Sequence, residues 1–121
     1  MHDAPIPAAI DRECMAEMWE DAGAALVRRL ADIFHRERQQ RGEALLAALF
    51  DNDREALALE AHSLKTAAAY ICAYTLRDAA LQLEKEVRDA DMVRLADLVH
   101  AVSSASDQAA DALTVALAGR A

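Results

Sequence analysis

One histidine with a lysine a turn behind it is the part of this sequence best equipped for chemistry. His62 and Lys65 lie in the run Glu60-Ala61-His62-Ser63-Leu64-Lys65-Thr66. Around them Leu57, Ala61, Leu64, Ala68 and Ile71 recur at steps of four, three, four and three, an apolar seam at helical period. At about 100° per residue, His62 falls about 160–200° from Leu64 and Ile71, so its ring faces solvent. Lys65 and Thr66, three and four residues on, share that face. Ala58 and Ala69 are small and leave the imidazole open to a large partner. An exposed imidazole titrates near a pKa of about 6.5, and its neutral form is a nucleophile. It can accept a phosphoryl group on a ring nitrogen and pass it on. Such transfer asks the protein mainly for positioning and positive charge. Lys65 is placed to supply the charge. The helix carries no carboxylate cluster for Mg²⁺, so the metal has to arrive with a partner.

The elements that position this pair follow from composition and period. The chain has 121 residues, enough for one domain with one core, and is 55% apolar but only 4% aromatic. Ala and Leu dominate, Gly and Pro are scarce, and no alternating β-branched run marks a strand. A short helix is expected from Ala8 or Asp11 to about Trp19, lying as a lid on one end of a bundle through Ile10, Met15, Met18 and Trp19. A long helix from about Asp21 carries Leu26, Leu30, Ile33 and Phe34, then a polar stretch, then Leu45, Leu46, Leu49 and Phe50. A lone glycine costs a helix only about 1 kcal/mol, so one helix is expected to run through Gly42. Asn52 with Glu55 has capping-box spacing, and Asp53 is an alternative cap for the helix that carries His62 to about Ile71. Thr75 and Asp78 have the same spacing ahead of a helix with the seam Leu76, Ala80, Leu83 and Val87. Asp91 can cap the last helix, whose seam is Leu95, Leu98, Val102, Ala105, Ala109, Leu113 and Ala116, with Gly119 as its stop. Short connections make neighbours antiparallel. The expected fold is all-α: an antiparallel up-down four-helix bundle with a short extra N-terminal helix. Residues 1–7 are expected to be flexible and 8–121 to form a single domain.

Charge and cysteine usage narrow the partners. A net charge of −8 and a pI near 4.8 argue against nucleic acid and anionic membrane as ligands. Arg36, Arg38 and Arg41 alternate with acidic residues and read as a solvated face. No segment reaches the roughly 18 apolar residues of a membrane span, and no leader precedes the chain, so a cytoplasmic protein is expected. Cys14 and Cys72 have no metal-ligand spacing and are read as two separate reduced thiols. A monomer is expected, since four helices close a core and no coiled-coil heptad is left over. Asp32 with His35 and Asp97 with His100 repeat an acid-x-x-His spacing known from di-iron bundles. No matching pair of inward glutamates accompanies them, and the reading carries no metal site. No nucleophile triad, phosphate loop or ATP-binding signature is present, so the phosphoryl donor has to be another protein.

The run Ala61-His62-Ser63-Leu64-Lys65, the small residues to Ala69, and Leu83-Glu84 on a returning helix resemble the histidine-containing phosphotransfer (HPt) domains of multistep phosphorelays. Weaker likeness extends over Phe34, Leu45 to Leu49 and Asp51-Asn52-Asp53. The resemblance implies a helical bundle with no ATP-dependent kinase activity, whose histidine shuttles phosphoryl between receiver-domain aspartates. It implies that His62 is the phosphoacceptor, reacting through Nε2. Lys65 then steadies the phosphoryl charge, and Glu84 orients the ring from the Nδ1 side. Ala58, Thr66, Ala69, Gln82 and Arg88 would border the docking face. The implied partners are receiver domains and a hybrid sensor histidine kinase, with no cofactor bound and Mg²⁺ supplied by the receiver. Two positions depart from the family's usual glycines, Thr66 directly after the lysine and Cys72 near the end of the His helix. Thr66 could crowd a partner, narrow partner choice or hydrogen-bond near the phosphoryl group. The alternative function is a helical adaptor that docks a signalling partner through the His62 face without phosphoryl chemistry.

Overall fold

Asp11, Asp53 and Asp91 each accept the backbone N–H three residues on, from Cys14, Ala56 and Arg94, at 2.9, 3.0 and 2.8 Å. A carboxylate so placed satisfies one of the orphan donors of a first helical turn. These caps open α1 (Arg12–Ala22), α3 (Arg54–Tyr70) and α5 (Met92–Ala118). The two remaining helices, α2 (Ala24–Phe50) and α4 (Tyr74–Glu86), start from Gly23 and Ala73 without a side-chain cap. A computed structural model describes residues 8–119, and among them there is no strand. The segment 1–7, expected to be flexible, lies outside the described residues.

Helices α2 to α5 form an antiparallel up-down four-helix bundle, and α1 closes one end of it. α1 starts at Arg12, directly after the Asp11 alternative, and ends three residues later than the apolar pattern suggested. Gly23, at φ 89° and ψ 154°, breaks the helix there, a conformation that suits a residue without Cβ. α2 runs unbroken through Gly42. Asn52 does not cap α3, because it turns into the left-handed region at φ 51° and leaves the cap to Asp53. Thr75 lies inside α4, so its spacing to Asp78 caps nothing. Among the described residues no helix is long and apolar enough to cross a membrane.

The seams of α3 and α4 are buried throughout: Leu57, Ala61, Leu64 and Ala68 face Leu76, Ala80 and Leu83. Each fully buried leucine contributes about 1.5–3 kcal/mol relative to exposure. α5 buries its seam from Leu95 to Leu113, adding Val99, Ser106 and Ala110. α2 differs from its expected stripe. Val27, Ala31, Phe34, Leu45 and Ala48 face the core, whereas Leu26, Ile33, Leu46 and Phe50 are exposed, Phe50 at 92%.

Two corners of one design set the register of α3. At the first, Asp53 N–H reaches Ala48 C=O (2.8 Å) and Asn52 N–H reaches Leu49 C=O (3.1 Å). At the second, Ala73 N–H reaches Ala68 C=O (2.9 Å) and Cys72 N–H reaches Ala69 C=O (3.4 Å). Both are Schellman closures with a left-handed residue just past the helix. Asn52 tolerates that conformation. Cys72, at φ 59°, pays about 1–2 kcal/mol for it. Arg54 ties the other ends of α3 and α4 by donating to Val87 C=O (2.9 Å) and Ala90 C=O (2.5 Å), carbonyls that α4 leaves open at its end.

The two cysteines correct the expectation of separate thiols. Cys14 and Cys72 form a disulfide with Cα atoms 5.9 Å apart, joining α1 to the α3–α4 corner. They are 58 residues apart in sequence, and only the placement of α1 brings them together. In the chain-entropy account a loop of that length adds about 4 kcal/mol of stability. Asp11 N–H donates to Cys72 C=O (2.9 Å) at the same corner.

Candidate functional site

The α3–α4 register brings His62, Lys65 and Glu84 together. Glu84 Oε2 lies 2.9 Å from His62 Nδ1, and Glu84 Oε1 accepts from Lys65 Nζ at 2.5 Å. The His62 side chain is 62% exposed while Glu84 is only 26% exposed, so the carboxylate forms the floor and the ring stands above it. The Lys65 hydrogen bond is the main cause that holds the Glu84 carboxyl below its ordinary value of 4.5; partial burial opposes it and the His62 bond assists. An ionised carboxylate only accepts, so its partner on the ring is Nδ1–H, and the lone pair is left on Nε2. The arrangement presents an outward nucleophilic nitrogen, a base-side anion that balances charge on the ring, and an ammonium with further N–H donors.

On the other flank His62 meets α2. His62, Thr66 and Tyr70 stand one turn apart on α3 and, with Leu30, Ile33 and Phe34 of α2, line a groove of about 370 Å³. Tyr70 is 61% exposed and Ile33 is 37% exposed. Glu37 and Arg41 line its polar end beside His62, where Arg41 reaches Glu60 across the helices at 3.4 Å. Thr66 Oγ1 donates to His62 C=O at 3.2 Å. Its hydroxyl is therefore turned onto the helix backbone, and it offers the groove a methyl group rather than a hydrogen bond to a phosphoryl group.

The remaining candidates fall at different distances from this centre. Ala58 and Ala69 sit one and two turns from His62 on α3, half-buried and exposed respectively. Gln82 faces away from it: Gln82 donates to Glu86, which also takes both Arg94 Nε (2.9 Å) and Arg94 Nη2 (2.7 Å) of α5. Arg94 first and Gln82 second push the Glu86 carboxyl down to about 2. Arg88 is exposed, just past the end of α4 and one turn beyond Glu84. Ile33 and Leu30 were read from the sequence as core, and Tyr70 went unassigned; the four-residue spacing of His62, Thr66 and Tyr70 was the signal for the groove.

His35 and His100 do not come together in a metal centre. His35 Nε2 faces Thr114 Oγ1 at 3.4 Å. His100 is fourteen residues from Thr114 on the same helix, about 21 Å along its axis. Among the described residues no group of three or more His, Cys, Asp or Glu side chains could hold a metal ion.

The Hpt domain pattern matches residues 29–115, well over half of the chain. The chain belongs to the Hpt domain family. No curated protein and no solved structure matches it. Membership implies phosphotransfer in two-component phosphorelays, with receiver domains and histidine kinases as the interacting proteins. In this Hpt domain the matched stretch starts within α2 and includes all of α3 and α4, while α1 lies outside it.

Proposed function

We propose that the chain is a phosphohistidine carrier in which Nε2 of His62 accepts phosphoryl from a receiver-domain aspartate and passes it to a second receiver. The observation that carries this reading is the sharing of Glu84 between His62 Nδ1 and Lys65 Nζ. As the P–Nε2 bond forms and the P–O bond to the donor aspartate breaks, positive charge builds on the ring. Glu84 balances that charge at Nδ1–H, and no proton has to leave the ring during attack. Lys65 keeps Glu84 ionised and turns its remaining N–H donors to the equatorial oxygens. The leaving aspartate stays with the Mg²⁺ that the receiver holds, and the carrier binds no cofactor of its own. The receiver docks along the groove from His62 to Tyr70, with Ala58 and Ala69 giving it room and Arg88 at the rim. The methyl of Thr66 narrows the set of receivers that fit. The donor receiver belongs to a hybrid sensor kinase, and the carrier works as a cytoplasmic monomer.

The test is incubation with a phosphorylated receiver domain and Mg²⁺, followed by intact mass, for wild type and His62→Gln. One acid-labile, base-stable phosphoryl group is expected on the wild type and none on the variant. A wild type that binds receivers but takes up no phosphoryl, with His62→Gln binding equally well, would identify a docking adaptor instead.

A further inference from the structure

We infer that the Cys14–Cys72 bond is a thiol–disulfide exchange site, entered through Cys14 by a dithiol reductant, whose opening loosens the groove beside His62. Three observations converge on it. The two cysteines differ in burial: Cys72 is fully buried, whereas Cys14 on α1 is half-buried. Attack on a disulfide is governed by which sulfur an incoming thiolate can reach, so it falls on Cys14. The Tyr74 hydroxyl donates to Cys14 Sγ at 3.1 Å, a hydrogen bond aimed at the sulfur that must later leave as a thiolate. Cys72 holds a left-handed backbone immediately after Ile71, and Ile71 lines the groove with His62 and Tyr70.

The exchange balances in two steps. A thiolate of the reductant attacks Cys14 Sγ; the reductant–Cys14 bond forms, the Cys14–Cys72 bond breaks, and Cys72 leaves as a thiolate that takes up a proton. The reductant's second thiolate then attacks its own sulfur in the mixed disulfide. Cys14 leaves as a thiolate under the Tyr74 O–H and is protonated in turn. Two electrons pass to the protein sulfurs and the dithiol ends as a disulfide. Afterwards Met15 of α1 and Ile10 just ahead of it stay in the core and the Asp11–Cys72 backbone bond remains, but the covalent hold on the corner is gone. A partner that docks on the loosened end of α3 has to order it first, which weakens docking.

The test uses the full oxidised chain in native buffer. Dithiothreitol followed by iodoacetamide and intact mass is expected to add one alkyl group, at Cys14, without unfolding, with Cys72 alkylated only once urea is added, and Tyr74→Phe is expected to slow this reduction by about threefold. Hydrogen exchange at Tyr70–Ala73 is expected to speed up about tenfold on reduction. The last readout rests on the acceptor reading of His62: phosphoryl uptake from a receiver falls about threefold on reduction. Cys72→Gly removes the bond while suiting the left-handed position, and its uptake rate is expected to ignore dithiothreitol. A bond that resists dithiothreitol until urea unfolds the chain overturns the inference. So does a reduced chain whose corner exchanges at the oxidised rate. If neither redox state takes up phosphoryl, the acceptor reading fails, and the thiol count and hydrogen exchange decide the exchange site alone.

Discussion

His62 stands between two unlike flanks. Toward α4 it meets charge: one carboxylate held by a lysine and by the ring itself, within 2.9 Å. Toward α2 it meets an apolar groove whose Thr66 hydroxyl is folded back onto the helix. The first flank can change the electronics of the ring but offers a partner little apolar area. The second offers area but, past Arg41 and Glu37 at its end, little charge. For the carrier proposed above, this split would let docking vary along Thr66 and Tyr70 while Glu84 keeps the ring's tautomer set.

The split can be broken most visibly at the charged flank. Glu84→Ala is expected to lower the transfer rate at saturating receiver by about 100-fold with little change in the receiver concentration needed for half-maximal rate. Stopped transfer assays over a receiver titration check it, and a change confined to half-saturation would erase the distinction between the flanks. Tyr70→Ala combined with Ile33→Ala should do the opposite, raising half-saturation about tenfold at a nearly unchanged limiting rate. Combining these with Glu84→Ala should give additive effects, since the flanks share no contact apart from His62. Lys65→Ala is expected to slow transfer by about tenfold. It should also move the Glu84 carboxyl back toward its ordinary value, readable by carboxyl NMR titration, because the Lys65 hydrogen bond is the first cause of the depression. The smallest effect is on stability. A carboxyl depressed on folding contributes stability that is complete above its ordinary value near 4.5 and is lost as pH falls through its folded value. Urea unfolding of Glu84→Gln should therefore show a shallower loss of stability below that pH than wild type. The carboxyl of Glu86, pushed down to about 2, should go on contributing in both proteins at pH 3.

The charged flank and the groove were not equally legible in the sequence. The seams of α3 and α4 could be read because Leu and Ala alternate there with polar residues at clean fours and threes, and the burial follows them residue for residue. α2 misled because its larger apolar residues stand next to smaller ones. Hydropathy favours Leu26, Ile33, Leu46 and Phe50, while close helix packing selected Val27, Ala31 and Ala48 for the core. The exposed Ile33 and the half-buried Leu30 then became groove walls. The proximity of Glu84 to His62 came from a family resemblance, since a separation of 22 residues acquires meaning only once the corner register is known. The disulfide was beyond reach for the same reason at greater distance. Its partners meet only after α1 has folded across the bundle end.

Arg54 and the corner at Cys72 have a consequence for the order of folding. Between them they fasten both ends of the α3–α4 hairpin, and every member of the charged flank lies inside that hairpin. Its contacts are short-range in sequence, so little loop entropy opposes them, whereas α2 has to find α5 across the whole chain. The folding nucleus is expected to contain this hairpin. Leu64→Ala and Leu83→Ala should mainly slow folding, and Val27→Ala should mainly speed unfolding, in a chevron analysis of the oxidised protein.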